Sequence, residues 1–246
     1  MLLKDHLERS GAICFRWRSY LPMIFLPFMA LALLRGEAVE FYVGDALGDV
    51  YEWAAILLVV AGQLIRILTV GYVSNGTSGR NTHGQIADEL NTLGLYSIVR
   101  NPLYLGNCLM YVGLAAYTQA PLLALFLGLT LALYYERIIS AEEGFLSAKF
   151  GQAYADWASV TPAFFPRLSG WRAPTRHFSW RMVIRREHPS IYGALFILFL
   201  IDLGFSQLAT LPEAFPTAWL WVMLVATLAI GGVKLAKRHS TLLAPR

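Results

Sequence analysis

Cysteine is scarce: Cys14 and Cys108 are the 2 in 246 residues. They lie far apart, no CxxC accompanies them, and the 5 histidines form no cluster, so neither a disulfide framework nor a zinc site organises the chain. Charge is scarce too, at 15% of residues against 57% hydrophobic, which excludes an ordinary soluble domain. There is no GxGxxG and no GKS, so a phosphate-cradling nucleotide loop has no support. Met1 to Tyr20 carries acids and aromatics among its bases and lacks a small-residue cleavage site behind a short apolar core, so it reads as retained.

What is present is apolar runs. Six stand out: Tyr20 to Leu34, Trp53 to Val73, Leu103 to Tyr117, Pro121 to Tyr135, Ile191 to Ala209 and Thr217 to Val233. A helix needs about 20 residues to cross about 30 Å of hydrocarbon, so the second, fifth and sixth are long enough and the other three are short. The third and fourth are separated by Thr118-Gln119-Ala120, with Pro121 suited to a first helical turn, so they predict a tight antiparallel hairpin. A half-buried hairpin that turns back before crossing is the alternative that length allows.

The net charge of +4 comes with a pI of 9.1, but most basic residues flank apolar runs, which points to topology and lipid contact rather than nucleic acid. If there are six spans, 18 of the 20 basic residues fall on one side, leaving Arg35 in the first opposite-side loop and Arg66 within the second run. The positive-inside rule then puts both termini in the cytoplasm and the acidic loop Arg35 to Glu52 outside. The expected fold is an all-α polytopic membrane bundle of about six transmembrane helices, with the tight hairpin and a cytoplasmic helical extension. It forms a single membrane domain over residues 1–246, with a core at about 81–166, a basic interfacial segment at 167–189 and a C-terminal helix pair at 190–235.

Polar chemistry concentrates where the third run begins, in Leu93-Gly94-Leu95-Tyr96-Ser97-Ile98-Val99-Arg100-Asn101-Pro102-Leu103-Tyr104-Leu105-Gly106. Pro102 starts a helix well and leaves Arg100 and Asn101 at its mouth, where free N–H groups attract anions. Gly106 permits close approach by a backbone or a flat ligand. Snorkelling of Arg100 and interfacial tyrosines would explain the same stretch without function. Beyond the hairpin, Glu136, Ser140 and Glu143 share one face of a continued helix, opposite an apolar stripe. A solvated, salt-bridged helix is the plain reading of that segment alone.

Taken together, G-x-Y-x-x-x-R-N-P-x-Y-x-G, a two-span hairpin, then E-E-x-x-L at Glu142 and F-G-x-x-Y at Phe150 resemble the isoprenylcysteine carboxyl methyltransferase and phospholipid methyltransferase group of integral membrane enzymes. The resemblance covers about Asn81 to Pro166. It implies S-adenosyl-L-methionine held on the cytoplasmic side by the segment before the proline helix, Asp88 and Asn91 included, with Tyr96, Asn101, Pro102, Leu103 and Tyr104. It implies catalytic roles for Arg100, Arg137 and Glu142 or Glu143, and no metal. Asn101 and Asp88 stand where His is commoner in the family, and the step from Arg137 to the acid pair is one residue longer than expected.

Physically, a sulfonium donor is already activated, so such a site mainly aligns the acceptor and excludes water. Glu142 or Glu143 is suited to the donor's amino group or sulfur, and Arg100 or Arg137 to an anionic acceptor oxygen. The core motif holds no His or Cys to act as base, which favours an oxygen acceptor such as a phosphate or carboxylate. The expected acceptor is a lipid or lipid-linked molecule, in the manner of the lipid A phosphate methyltransferases that resemble this family. The expected location is the bacterial inner membrane.

The segment Arg167 to Arg186 interleaves arginine with aromatics, and Arg172/Arg176 and Arg181/Arg185 are spaced to stack on a helix face and gather anionic headgroups; ordinary positive-inside anchoring explains them equally. Pro189 reads as starting the fifth helix, and Arg66 and Asp202 are candidate partners at membrane depth. Two other classes compete: an NADPH-dependent membrane reductase, and a transporter, which lacks the expected pair of broken, repeated helices.

Overall fold

The computed structural model describes residues 3–18, 20–34, 38–74, 85, 87–208, 214 and 216–239. These form nine α-helices: α1 (Leu3–Trp17), α2 (Leu26–Leu33), α3 (Ala38–Val43), α4 (Asp45–Tyr72), α5 (Pro102–Tyr117), α6 (Pro121–Phe150), α7 (Gln152–Val160), α8 (Trp180–Leu208) and α9 (Ala218–His239). Among the described residues the one β-type pairing is an isolated antiparallel bridge between Gly94 and Arg172. Arg35, Glu37 and, in the connector between the second and third runs, residues 75–84 and 86 lie outside the described residues.

Four helices, α4, α6, α8 and α9, are long and apolar enough to cross a membrane. The first run carries only a shorter apolar helical stretch, Pro22–Leu33. The third forms α5, whose 16 residues span about 24 Å at 1.5 Å per residue, short of the hydrocarbon thickness. Its partner α6 has 30 residues and so projects beyond the hairpin's far end, carrying Glu142 and Glu143 with it. Gly151 at φ +54° closes α6, donating to the Ser147 carbonyl at 2.9 Å, and α7 follows at once.

At the hairpin's turn Gln119 is buried, with Nε2 donating to Glu52 at 2.9 Å and Oε1 accepting from the Glu40 N–H at 3.1 Å, so the turn docks on α3 and the start of α4. Farther along, glycine brings α4 and α5 together: a Cβ on Gly106 would stand 2.8 Å from the Gly62 carbonyl oxygen, and one on Gly113 2.8 Å from that of Ala55. The obstacle at each point is backbone, which a rotamer change does not clear. Gly106→Ala is therefore expected to destabilise the protein by about 1–3 kcal/mol, as overpacking does, read as a lower midpoint of thermal unfolding in detergent.

Two parts of the basic segment differ from the sequence expectation. Arg172 and Arg176 are not on a helix; Arg172 makes the bridge to Gly94, and Arg176 pairs with Glu89 at 3.1 Å. The chain there is tied to the turn at Gly94–Ser97 and to Glu89, which overrides helical spacing. The helix α8 starts at Trp180, not at Pro189, because Ser179 caps it: its hydroxyl accepts from the Met182 N–H at 3.3 Å and its carbonyl from Val183 at 3.1 Å. Pro189 lies inside α8 and cannot donate to the Arg185 carbonyl one turn back. Lys237 of α9 supplies a donor to that carbonyl instead, at 3.4 Å.

Two apolar clusters hold the bundle. One joins α1, α5 and α6 around Phe15, Ala115, Leu131 and Ile138; the other joins α2, α5 and α8 around Leu33, Met110, Leu198 and Phe205. Leucines and aromatics on the outer faces of α4, α6 and α9, such as Leu57, Leu129 and Trp221, are exposed, as a lipid-facing belt requires.

Candidate active site

The segment ahead of α5 is shaped by short-range bonds and then stitched to residues 157–172. Gly94 adopts φ +61°, a region that favours glycine, and opens a single 3₁₀ turn, Leu95–Ser97. Ser97 Oγ donates to the Gly94 carbonyl at 2.7 Å and accepts from the Arg172 N–H at 2.9 Å. The Trp157 indole donates to the Tyr96 carbonyl at 3.0 Å, the Arg167 N–H to Ile98 at 2.9 Å, and the Arg100 N–H to Pro162 at 2.9 Å. Asn101, at the mouth of α5, turns its amide away to the Ala163 carbonyl at 3.0 Å, so the first turn of α5 has no side-chain cap.

The arginine of this segment is a clamp. Arg100 Nη1 donates to the carbonyls of Ala158 and Thr161 at 2.7 and 3.1 Å, at the C-terminal end of α7 where a cation suits the helix dipole. Its Nη2 lies 2.7 Å from Glu143 Oε1, an ion pair rather than an aligned hydrogen bond. The proline-led helix mouth and the acid pair on α6 therefore meet directly. Among the described residues, buried Arg100 Nε and Thr161 Oγ1 in this corner have no hydrogen-bond partner, while Glu143 Oε1 is held by Arg100. Such orphans are uncommon in folded proteins and cluster where a ligand or solvent completes the bonding. Burial raises the Tyr154 phenol well above its ordinary range, and the neighbouring Glu143 charge adds to that, so it stays protonated beside the carboxylate.

Next to this corner, Glu142 Oε1 accepts from the Tyr104 hydroxyl at 2.8 Å and lies 3.6 Å from Arg18 of the α1 end. Tyr104 in turn packs on Tyr135, ring centroids 4.8 Å apart. These groups face a cavity of about 850 Å³ bounded by the start of α5, the projecting end of α6, and α1, α4 and α8. That is within the size range of small-molecule sites, toward its upper end.

Of the residues expected at the site, Asn91, Tyr96, Arg100, Asn101, Pro102, Leu103, Tyr104 and Glu142 line this cavity. Glu143 stands behind them, joined to Arg100. Asp88 and Arg137 are not among the lining residues. Arg137 donates to the Leu133 carbonyl of its own helix at 2.8 Å, and its backbone carbonyl abuts Gly11 of α1. Five residues before Glu142, it is turned roughly 140° around the helix from that acid, which puts it on the α1 side.

On the opposite wall is a second polar set, in which sequence reasoning chose the wrong acid for Arg66. Arg66 of α4 pairs with Glu187 of α8, Nε–Oε2 2.8 Å and Nη2–Oε1 2.9 Å, and also donates to Asn107; Gln63 adds a bond to Glu187 at 3.1 Å. Asp202, the partner expected for Arg66, instead accepts from the Trp219 indole. Both acids are on α8, but Glu187 is near the end that docks on the last turns of α4, whereas Asp202 is about four turns further on. Arg185, Arg186, His188 and Lys237 also line the cavity on this side. The available signal was Arg66 itself, a cation inside an apolar run that required an acid nearby.

The family described as phospholipid methyltransferase matches residues 50–153. Over 128 residues the chain is 39% identical to the nickel-cobalt-cadmium resistance protein NccN of Alcaligenes xylosoxydans xylosoxydans, covering 51% of this chain and 57% of that protein. Over 149 residues it is 34% identical to the cobalt-zinc-cadmium resistance protein CzcN of Cupriavidus metallidurans, covering 59% and 65%. A probable protein-S-isoprenylcysteine O-methyltransferase of Oryza sativa is 28% identical over 144 residues, 57% of this chain and 71% of that one. The chain thus spans less than two thirds of the length of the two resistance proteins. No solved structure matches it. The region that matches the phospholipid methyltransferase family runs from the second helical turn of α4 through the hairpin to the start of α7, enclosing the arginine mouth of α5 and the acid pair of α6.

Proposed function

We propose that this protein transfers a methyl group from S-adenosyl-L-methionine to an anionic oxygen of a membrane-embedded lipid or lipid-linked acceptor, at the cytoplasmic face of an inner membrane. The observation that carries this reading is the meeting, at one cavity, of the uncapped first turn of α5 with the acid-bearing end of α6.

The chemistry of the lining fits the donor. Its carboxylate suits the buried, unpartnered Arg100 Nε and the helix N-terminus beside it. Its ammonium and sulfonium suit Glu142, held in place by the Tyr104 hydroxyl. Tyr96 and Trp157 supply aromatic wall for the base. When bound, the donor contributes a methyl group already activated on sulfur. The chain's own task is then to hold the two reactants in line and keep water out, which is worth several kcal/mol, on the order of 7–11 in favourable cases.

Arg100 also braces this site, because both its terminal nitrogens are committed to α7 and Glu143. Its guanidinium ties the α5 mouth, α6 and α7 into one wall. A phosphate or carboxylate acceptor is ionised at neutral pH and needs no base from the protein.

The test is ligand-dependent stability of the purified protein in detergent. S-adenosylhomocysteine at about 100 times its Kd should raise the unfolding midpoint by on the order of 5 °C, whereas NADPH should leave it unchanged. Stabilisation by NADPH and not by S-adenosylhomocysteine would replace this reading with a reductase.

A further inference from the structure

The chain between α7 and α8 carries large apolar side chains on the outside of the protein. Phe165 is 82% exposed, Leu168 75%, Trp171 53% and Trp180, the first residue of α8, 65%. The first three lie outside every spanning helix, so the acyl layer around those helices does not account for them. The segment is firmly seated all the same. Phe164 packs inward on the α1–α5–α6 cluster, Phe178 fills the space that a side chain on Gly71 would need, and the Ser179 N–H donates to the Gly71 carbonyl at 2.8 Å.

Its depth follows from the helices it touches. The bond from Gln119 to Glu52 puts the hairpin turn and the start of α4 at one level. From Glu52 to Gly71 on α4, and from Pro121 to Glu142 on α6, is in each case about 30 Å of helix, one hydrocarbon thickness. The connector meets α4 at Gly71. It also meets the α5 mouth, whose Tyr104 touches Glu142, through backbone bonds from Arg100 to Pro162, Arg167 to Ile98 and Gly94 to Arg172. It therefore lies where hydrocarbon gives way to headgroups. Exposed Arg167, Arg172 and Arg181 alternate with the exposed apolar side chains, a composition suited to a boundary that is apolar on one side and wet on the other.

We infer that this connector is a membrane-surface plate: Phe165, Leu168, Trp171 and Trp180 insert into the headgroup–acyl boundary and so hold the α5 mouth at that depth. Exposed apolar side chains of this size, rimmed by polar ones, mark an interaction surface, and at this depth the partner is lipid. The inner edge of the plate bonds to Gly94–Arg100, so lipid on the outer edge bears on a wall of the cavity. One consequence rests on the proposed methyl transfer: the acceptor is a resident of the membrane whose reacting group sits among the headgroups, rather than a solute arriving from water.

The experiment uses the full chain in dioleoyl phosphatidylcholine vesicles. A nitroxide is placed at one position at a time by Phe165→Cys, Leu168→Cys or Trp171→Cys in a Cys14→Ser, Cys108→Ala background, and its depth is read from accessibility to oxygen against a water-soluble nickel chelate. Leu129→Cys, on the exposed face of α6, marks the acyl layer, and Lys149→Cys, about 40 Å along α6 from Pro121, marks water. The oxygen-to-nickel ratio at the connector positions should exceed that at Lys149→Cys by about threefold or more. A ratio equal to that at Lys149→Cys would mean that the plate faces water, and labels shielded from both reagents would mean that protein covers it; either overturns the inference. With both cysteines kept, Leu168→Asn with Trp171→Asn should speed amide exchange of Arg100 and Arg172 in the vesicles by about tenfold or more, and unchanged exchange would overturn it as well. Cooperative thermal unfolding shows that each variant is folded. None of these measurements needs a methyl donor, so failure of S-adenosylhomocysteine to stabilise the protein counts against the methyltransferase reading alone.

Discussion

Glu142→Gln is expected to lower kcat/KM for methyl transfer by about 10- to 100-fold, while leaving the protein folded and Glu143 still paired with Arg100. The size follows from what the substitution removes. Of the acid pair on α6, Glu142 is the one that faces the cavity, fixed by the Tyr104 O–H at 2.8 Å and flanked by Arg18 at 3.6 Å. A carboxylate that meets a cationic donor away from bulk water is worth about 1.5–3 kcal/mol as a charge-assisted bond, and about 2.7 kcal/mol corresponds to 100-fold in rate. The amide keeps the shape and can still accept from Tyr104, so the loss isolates charge. Methyl transfer from labelled donor into extractable lipid measures it, with S-adenosylhomocysteine affinity alongside. A Glu142→Gln protein with undiminished turnover and affinity would remove Glu142 from the donor site.

The neighbouring substitution should behave differently. Glu143 does not line the cavity; it holds Arg100, which holds the carbonyls of Ala158 and Thr161. Loss of Glu143 acts by loosening a wall.

How much of this was legible in the sequence depends on the range of the interaction. The hairpin was, because a three-residue polar break and a proline dictate a turn locally, and the α5 mouth was, because Pro102 sets a helix start by itself. The extension of α6 into the polar zone followed from unbroken helical composition up to Gly151. The start of α8 was not legible, since a proline inside a helix looks like a proline at its beginning until the cap ten residues upstream, Ser179, is known to be in place. Arg172 and Arg176 misled for a related reason: their four-residue spacing suits a helix, but pairing with Gly94 and Glu89, which are distant in sequence, decided otherwise. Arg137 showed the limit of carrying a role over by position alone, because one added residue between it and the acids rotates it by roughly 100° on the helix.

The partner of Arg66 was the least legible feature, and it carries the largest expected effect on stability. Arg66 and Glu187 retain only 12% and 3% of their side-chain exposure and make two bonds under 3 Å. Glu187→Leu leaves the guanidinium buried with Asn107 as its remaining polar partner, and should destabilise the protein by about 3–5 kcal/mol. Removing both charges, in Arg66→Met with Glu187→Leu, should restore most of that loss, because neither ion then remains to be desolvated. A double-mutant cycle on unfolding midpoints in detergent reads the coupling, expected at about 2 kcal/mol or more for residues in direct contact. If Glu187→Leu instead unfolded at the wild-type midpoint, the pair would not be holding α4 to α8.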